Sequence, residues 1–322
     1  MMSDSILHSK PGNAIGHSFT RNEQLMFAII PACVNFASGI FAVAINSVLL
    51  YILVQNHKSG SRVLICNLAI TDLLTGLVVQ QSYAIHMILS MKAPNYVALY
   101  MFNFTAYLVC GLSLVTAGGM SLDRLIATLF PFWYKIRAKP RVFTFTVVFI
   151  WVQGVGFLTL YLSGVINNTL AQLAFSLTVC FAVLSFAISY PLIARNFRLR
   201  EKRVTQSSSL PSAAATELRQ QRQAKVTRTF AFMVIALCLM YLPMVVVKLL
   251  LWKASDTHLK TLDIINRVTN TVAFLNSSLN PMLYCYGNNA VRAEIKQCFA
   301  NFFSRFIGKR TVTQQDGCTS SS

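Results

Sequence analysis

Residues 121–134 read SLDRLIATLFPFWY. An acid and an arginine stand side by side here, and a proline-broken aromatic run follows them. Upstream, residues 93–122 carry no charged side chain at all. Comparable uncharged windows occur at about 24–56, 142–166, 170–194 and 268–291, and others at 63–91, where Asp72 is the only charge, and at 229–252, where Lys248 is the only charge. Each exceeds the roughly 18 to 20 residues that a helix needs to cross a bilayer. Composition agrees: 12% of residues are charged, 55% are hydrophobic and mean hydropathy is +0.55, against about 25% charged residues in an ordinary soluble domain. The chain reads as a polytopic all-α membrane protein, and large buried helices of a soluble protein are the weaker account.

The uncharged run from 142 to 194 is too long for one span. Its polar, Gly-containing middle, SGVINNTLAQ (163–172), is the natural place to turn, so two helices joined by a short loop are expected there. Helices are preferred to a barrel because the windows lack period-2 alternation and are about twice the length of a barrel strand. Seven spans result.

Lys and Arg in the connections set the orientation. Of 28 such residues, 21 fall in 58–62, 124–141, 195–228 and 292–310, and 7 fall on the alternate side. This predicts an N-terminus outside and a C-terminus in the cytoplasm. The net charge of +18 is then explained by topology and anionic inner-leaflet lipid, and nucleic-acid binding finds no support. The first 20 residues lack the apolar core of a secretory signal, so the first span is expected to direct membrane insertion. The eight cysteines fall within spans or on the inner side, and no extracellular disulfide is expected. Asn167-Asn168-Thr169 is a glycosylation sequon in a short outer loop, close to the membrane.

After the seventh window, Val291, Ile295, Cys298, Phe299, Phe302, Phe303 and Phe306 recur at helical spacing among Arg292, Lys296 and Arg305. This pattern predicts an interfacial amphipathic helix. The expected division is an extracellular N-terminus (1–23), a seven-span domain (24–288), an amphipathic eighth helix (289–307) and a disordered cytoplasmic tail (308–322). Cys298 is a candidate for palmitoylation or an ordinary buried thiol. The 195–228 segment, basic at both ends around SSSLPSAAA, reads as a flexible loop between extensions of spans five and six.

With seven spans, Asp123-Arg124 sits at the inner end of the third. It resembles the D-R-Y motif of rhodopsin-like (class A) G-protein-coupled receptors, with Leu125 in the tyrosine's place. Further matches follow in the family's order: Asn46 in span one, N-L-A-I-T-D (67–72) in span two, Trp151 in span four, Pro243 in span six and N-P-M-L-Y (280–284) in span seven. The resemblance covers about residues 25–305. It implies a plasma-membrane receptor that converts an extracellular ligand into activation of a heterotrimeric G protein, with no catalytic chemistry. Arrestin and a receptor kinase are the implied partners of the Ser/Thr-rich tail.

By the same resemblance, Asp72, Ser113, Asn276 and Asn280 are a sodium pocket, the alternative being an ion-free hydrogen-bond network. Pro243 and Pro281 are expected to kink their helices. Arg124 would leave Asp123 on activation, supported by Tyr190 and Tyr284, with Tyr241 where the family usually has a tryptophan. Q-Q-R-Q (220–223) offers glutamine where an acid would hold Arg124, which implies raised basal activity. The family's cysteine at the outer end of span three is replaced by Leu99. Together with the short outer loop, this resembles the melanocortin, lysophospholipid and cannabinoid branches, while N-S-S-L-N-P-M-L-Y is also similar to adenosine receptors.

The ligand-lining positions implied are Tyr83, Ala106, Tyr107, Cys110, Tyr241, Met244, Lys248, Asn270 and Phe274. Ala106 stands where amine receptors carry an aspartate, and Phe274 stands where opsins carry the retinal lysine. Lys248 is either a positive anchor for an acidic or accepting ligand or a lysine that snorkels to water. A transporter or channel is the competing function, but no internal repeat and no second intramembrane acid to relay with Asp72 is seen.

Overall fold

In hydrocarbon every backbone N–H and C=O must be bonded within the chain, so apolar windows of this length become helices. A computed structural model describes residues 22, 25–55, 60–91, 95–206, 232, 235–251, 256–287, 292–294 and 304. A π-helical turn (Leu25–Ile29) leads into α1 (Ile30–Gln55). The second crossing is α2 (Gly60–Leu74), a π-helical turn (Thr75–Val79) and α3 (Gln80–Leu89). Then come α4 (Tyr96–Leu129), α5 (Pro131–Arg137), α6 (Pro140–Leu162) and α7 (Asn168–Gln206). α8 (Ile235–Leu251) and α9 (Asp256–Gly287) complete a seven-helix bundle. Among the described residues there is no strand.

Helix ends follow local chemistry. Asn95 caps α4 by accepting the Ala98 N–H at 2.9 Å. Pro131 and Pro140 each open a helix at a position that needs no N–H donor. Gly164, at φ +76°, turns the chain after α6, and Asn167 then caps α7 by accepting the Leu170 N–H at 2.9 Å. The loop is therefore residues 163–167, shorter than the predicted turn, because the Asn167 cap starts α7 early.

α4 is the central post, and its broadest contact is with α7. α6 is the least buried span. Phe145, Phe149 and Val152 on it are 74%, 62% and 62% exposed, as a helix solvated by lipid requires. α1 and the second crossing touch backbone to backbone. A Cβ on Gly39 would lie 2.7 Å from the Gly76 carbonyl oxygen, and one on Gly76 would lie 2.6 Å from that of Gly39.

One expectation needs correction. α9 begins at Asp256, about three turns before the uncharged window at 268. Its first turns carry charge, which hydropathy alone assigns to a loop, yet Asp263 and Arg267 pair at 3.0 Å across one helical turn. Pro281 lies inside α9, which runs on to Gly287. The N-terminal 21 residues, the 207–231 connection and the tail after 304 lie outside the described residues. So does the expected eighth helix, apart from helical residues 292–294 and Ser304. Cys298 and the Q-Q-R-Q segment fall in those stretches.

Candidate functional site

Three groups of polar side chains interrupt the apolar bundle. The first surrounds Asp72, which is 1% exposed. Asn280 Nδ2 donates to Asp72 Oδ2 at 2.9 Å. The Ser113 and Ser277 hydroxyls stand within reach of the same carboxylate, while Asp72 Oδ1 accepts no hydrogen bond from the described residues. Asn276 is also buried, with its Oδ1 unpartnered. Pro281 lacks an N–H, so the carbonyl four residues back, that of Ser277, loses its helical donor. Asn46 Nδ2 replaces it, donating to Ser277 O at 3.0 Å. Asn67 forms a second link: its Nδ2 donates to Thr116 Oγ1 at 2.7 Å and its Oδ1 accepts Trp151 Nε1–H at 2.8 Å. Thr116 and Ser277 escaped sequence reading, because one hydroxyl on an apolar helix gives no signal until its partner is known.

The second group closes one end of the bundle. Arg124 donates to Asp123 Oδ2 through Nη2 at 2.7 Å and through Nε at 3.1 Å. Tyr134, carried back by α5, donates its hydroxyl to Asp123 Oδ1 at 2.7 Å. The sequence placed the ion pair and missed Tyr134, eleven residues on and across a helix break. Beside this latch lies a cavity of about 340 Å³ between α4, α7 and α8. Its lining includes Met120, Arg124, Phe186, Tyr190, Leu237 and Cys238. Tyr190 is 48% exposed and precedes Pro191, an interior proline of α7. Arg124 and Tyr190 therefore line the same cavity. The Tyr284 side chain lies outside the described residues.

The third group lies toward the other end. Tyr83, Tyr107, Cys110, Tyr241, Met244 and Phe274 belong to one buried cluster, with Ala106 packed against it. Tyr83 and Phe274 meet edge-to-face at 5.4 Å, and Asn270 Nδ2 donates to the Tyr83 hydroxyl at 3.4 Å. The hydroxyl of Tyr241 and the thiol of Cys110 interact, and Lys248 is within electrostatic reach of that thiol. Seven of the nine positions thus share this cluster, and Asn270 joins it through Tyr83. Phe102 was missed. Its ring lies 4.5 Å from that of Tyr83, and it sits one turn before Ala106 on the same stripe of α4.

The fold is thus a seven-helix transmembrane bundle with an internal carboxylate, a latched arginine at one end and an aromatic cluster toward the other. The family described as 7 transmembrane receptor (rhodopsin family) matches residues 45–284, and the chain belongs to it. Among curated relatives, galanin receptor 2a of Danio rerio is 25% identical over 228 residues, covering 67% of this chain and 62% of that receptor. The histamine H2 receptor of Cavia porcellus is 25% identical over 259 residues, covering 75% of this chain and 71% of that one. The chain thus spans only about three-fifths of the galanin receptor's length. Squid rhodopsin shares the fold, with a TM-score of 0.72 at 17% identity over 94% of both chains.

Proposed function

We propose that this receptor turns binding of an extracellular ligand into nucleotide exchange on a heterotrimeric G protein. The observation that carries it is the cavity beside the latch, where Arg124 and Tyr190 line one opening between α4, α7 and α8. A partner helix entering there would compete with Asp123 for Arg124. The ligand would act from the aromatic cluster, so that the two sites bias one equilibrium between packings. This reading puts the Arg124 end in the cytoplasm, as the Lys and Arg distribution requires. Tyr241, Pro243, Asn280, Pro281 and Tyr284 serve as the switching positions that couple the two sites, and arrestin and a receptor kinase act on the tail.

The Asp72 neighbourhood suits a sodium ion. Its free Oδ1, the free Asn276 Oδ1 and the Ser113 hydroxyl are hard oxygen donors around one buried carboxylate. Such an ion would supply charge compensation that holds the bundle in its resting packing. Histamine and galanin are ligands by name of the relatives only. Of the described acids at the ligand end, Asp263 is paired with Arg267, and Ala106 offers a protonated amine no counter-ion. Asn167 is exposed and uses only its Oδ1 as a cap, which leaves Nδ2 as the glycosylation position.

The test is capture of a nucleotide-free heterotrimer by purified receptor in lipid discs. Wild type should retain it, and Ala117→Trp, which fills the cavity, should not. Equal retention by a folded Ala117→Trp protein would remove the cavity from the coupling route.

A further inference from the structure

The short helix α5 has two unlike sides. Tyr134 and Ala138 face the bundle: both pack on the cluster that holds Leu68, Met120 and Phe143, and the Tyr134 hydroxyl donates to Asp123 Oδ1 at 2.7 Å. Large apolar side chains occupy the other side. Phe132 is 85% exposed, more than any other large apolar side chain among the described residues, and Ile136 and Trp133 are 68% and 55% exposed. At about 100° per residue these three share an arc of about 100° centred nearly opposite Tyr134. Lys135 borders the arc on one edge and Arg137 on the other, and both are exposed.

Position and charge say what covers this face. α4 ends at Leu129 and α6 begins at Pro140, so α5 is tied at both ends to the same end of two membrane spans. A helix held there with Trp, Phe and Ile outward and cations at both borders has the make-up of one lying in the membrane surface. Lys139 and Arg141 follow, also exposed, and no Asp or Glu occurs from 124 to 200. The four cations therefore have no acid in their own stretch of chain, and phosphate or carboxylate headgroups complement them.

Resting on the receptor reading above, which puts this end in the cytoplasm, we infer that α5 binds anionic phospholipid of the inner leaflet, and that this lipid holds Tyr134 against Asp123. A two-turn helix moves as one body. Lipid gripping its outer face and Asp123 gripping its inner face therefore favour the same pose, and each binding strengthens the other. Anionic lipid thereby becomes a regulator of the Arg124 latch.

The test uses the full chain in lipid discs without any G protein. Discs of phosphatidylcholine are compared with discs in which part of it is replaced by phosphatidylserine. The readouts are the melting midpoint and the lipid adduct formed by a photoreactive benzophenone amino acid at position 132. Phosphatidylserine should raise the midpoint of wild type and be enriched in the adduct over its share of the disc. Lys135→Gln/Arg137→Gln should lose at least half of that rise. Arg195→Gln/Arg198→Gln, which removes the same charge from exposed positions on α7, should keep most of it. Tyr134→Phe should keep the adduct and shrink the rise, a separation that surface charge alone would not give.

The inference is overturned if phosphatidylserine leaves the midpoint unchanged, if both charge variants lose the rise equally, or if Tyr134→Phe leaves it intact. A probe at 132 that captures added heterotrimer but never phospholipid would assign the face to the G protein and overturn it too. Nucleotide exchange reads coupling separately, so the lipid site and the receptor reading can fail independently.

Discussion

Asp72 and Asp123 show how one residue type takes two roles in one bundle. Asp123 sits at an end, bridged by Arg124 and by the Tyr134 hydroxyl, and its charge is matched at once. Asp72 sits mid-bundle with one oxygen on Asn280 and the other open, so its charge is unmatched by any described cation. Asp72→Asn should therefore abolish the sodium dependence of the resting state, read as loss of the sodium-induced rise in melting midpoint; a mutant equally responsive to sodium would exclude the site. Tyr134→Phe removes one hydrogen bond to a charged group, worth about 1.5 kcal/mol or more. Basal nucleotide exchange should rise by up to about tenfold, and unchanged exchange at equal surface expression would mean that Asp123 and Arg124 hold each other unaided. The Asp123-Arg124 pair was legible because charge is rare in these windows. Tyr134 was not, because its partner depends on how the chain turns at Phe130, where α4 stops and α5 folds back.

Element boundaries were legible wherever hydropathy and charge change together, and misplaced where they do not. α9 is the clearest case: its Asp263–Arg267 pair keeps a charged stretch helical beyond the apolar window. The π-helical turn at Thr75–Val79 left no hydropathy signal at all, yet it decides the register of α3. The Gln80 N–H reaches back to Thr75 O across five residues, and the added residue rotates the following positions by about 100°. This puts Tyr83 and Met87 inside with Gln80. At the same level Gly39 and Gly76 let α1 approach. Gly39→Val should cost about 1–3 kcal/mol through overpacking, seen as a lower melting midpoint, and an unchanged midpoint would show that α1 can move aside. Asn46→Ala should cost a similar amount, about 1–3 kcal/mol, because it leaves the Ser277 carbonyl that Pro281 frees without a donor. Replacing Pro281 by Ala in the same protein should recover part of that loss, since the helix then supplies the missing N–H.

Across the whole molecule, the chain divides along its axis into a half that holds unsatisfied polar groups among aromatics and a half that holds a cavity beside a latched arginine. The Asp72 network lies between them. Spans and motif order follow from sequence because hydrocarbon permits few solutions. The distribution of unpartnered atoms and the cavity do not, because both depend on which faces meet. The central claim is that Arg124 belongs to a coupling site for G proteins. The direct measurement is GTP loading of added heterotrimer in membranes bearing the protein, without agonist, against membranes lacking it and membranes bearing Arg124→Ala at matched surface level. The account predicts loading above the empty membranes that falls to their level in Arg124→Ala. Loading indistinguishable among all three across the heterotrimer classes, with solute uptake or ion flux in its place, would contradict it.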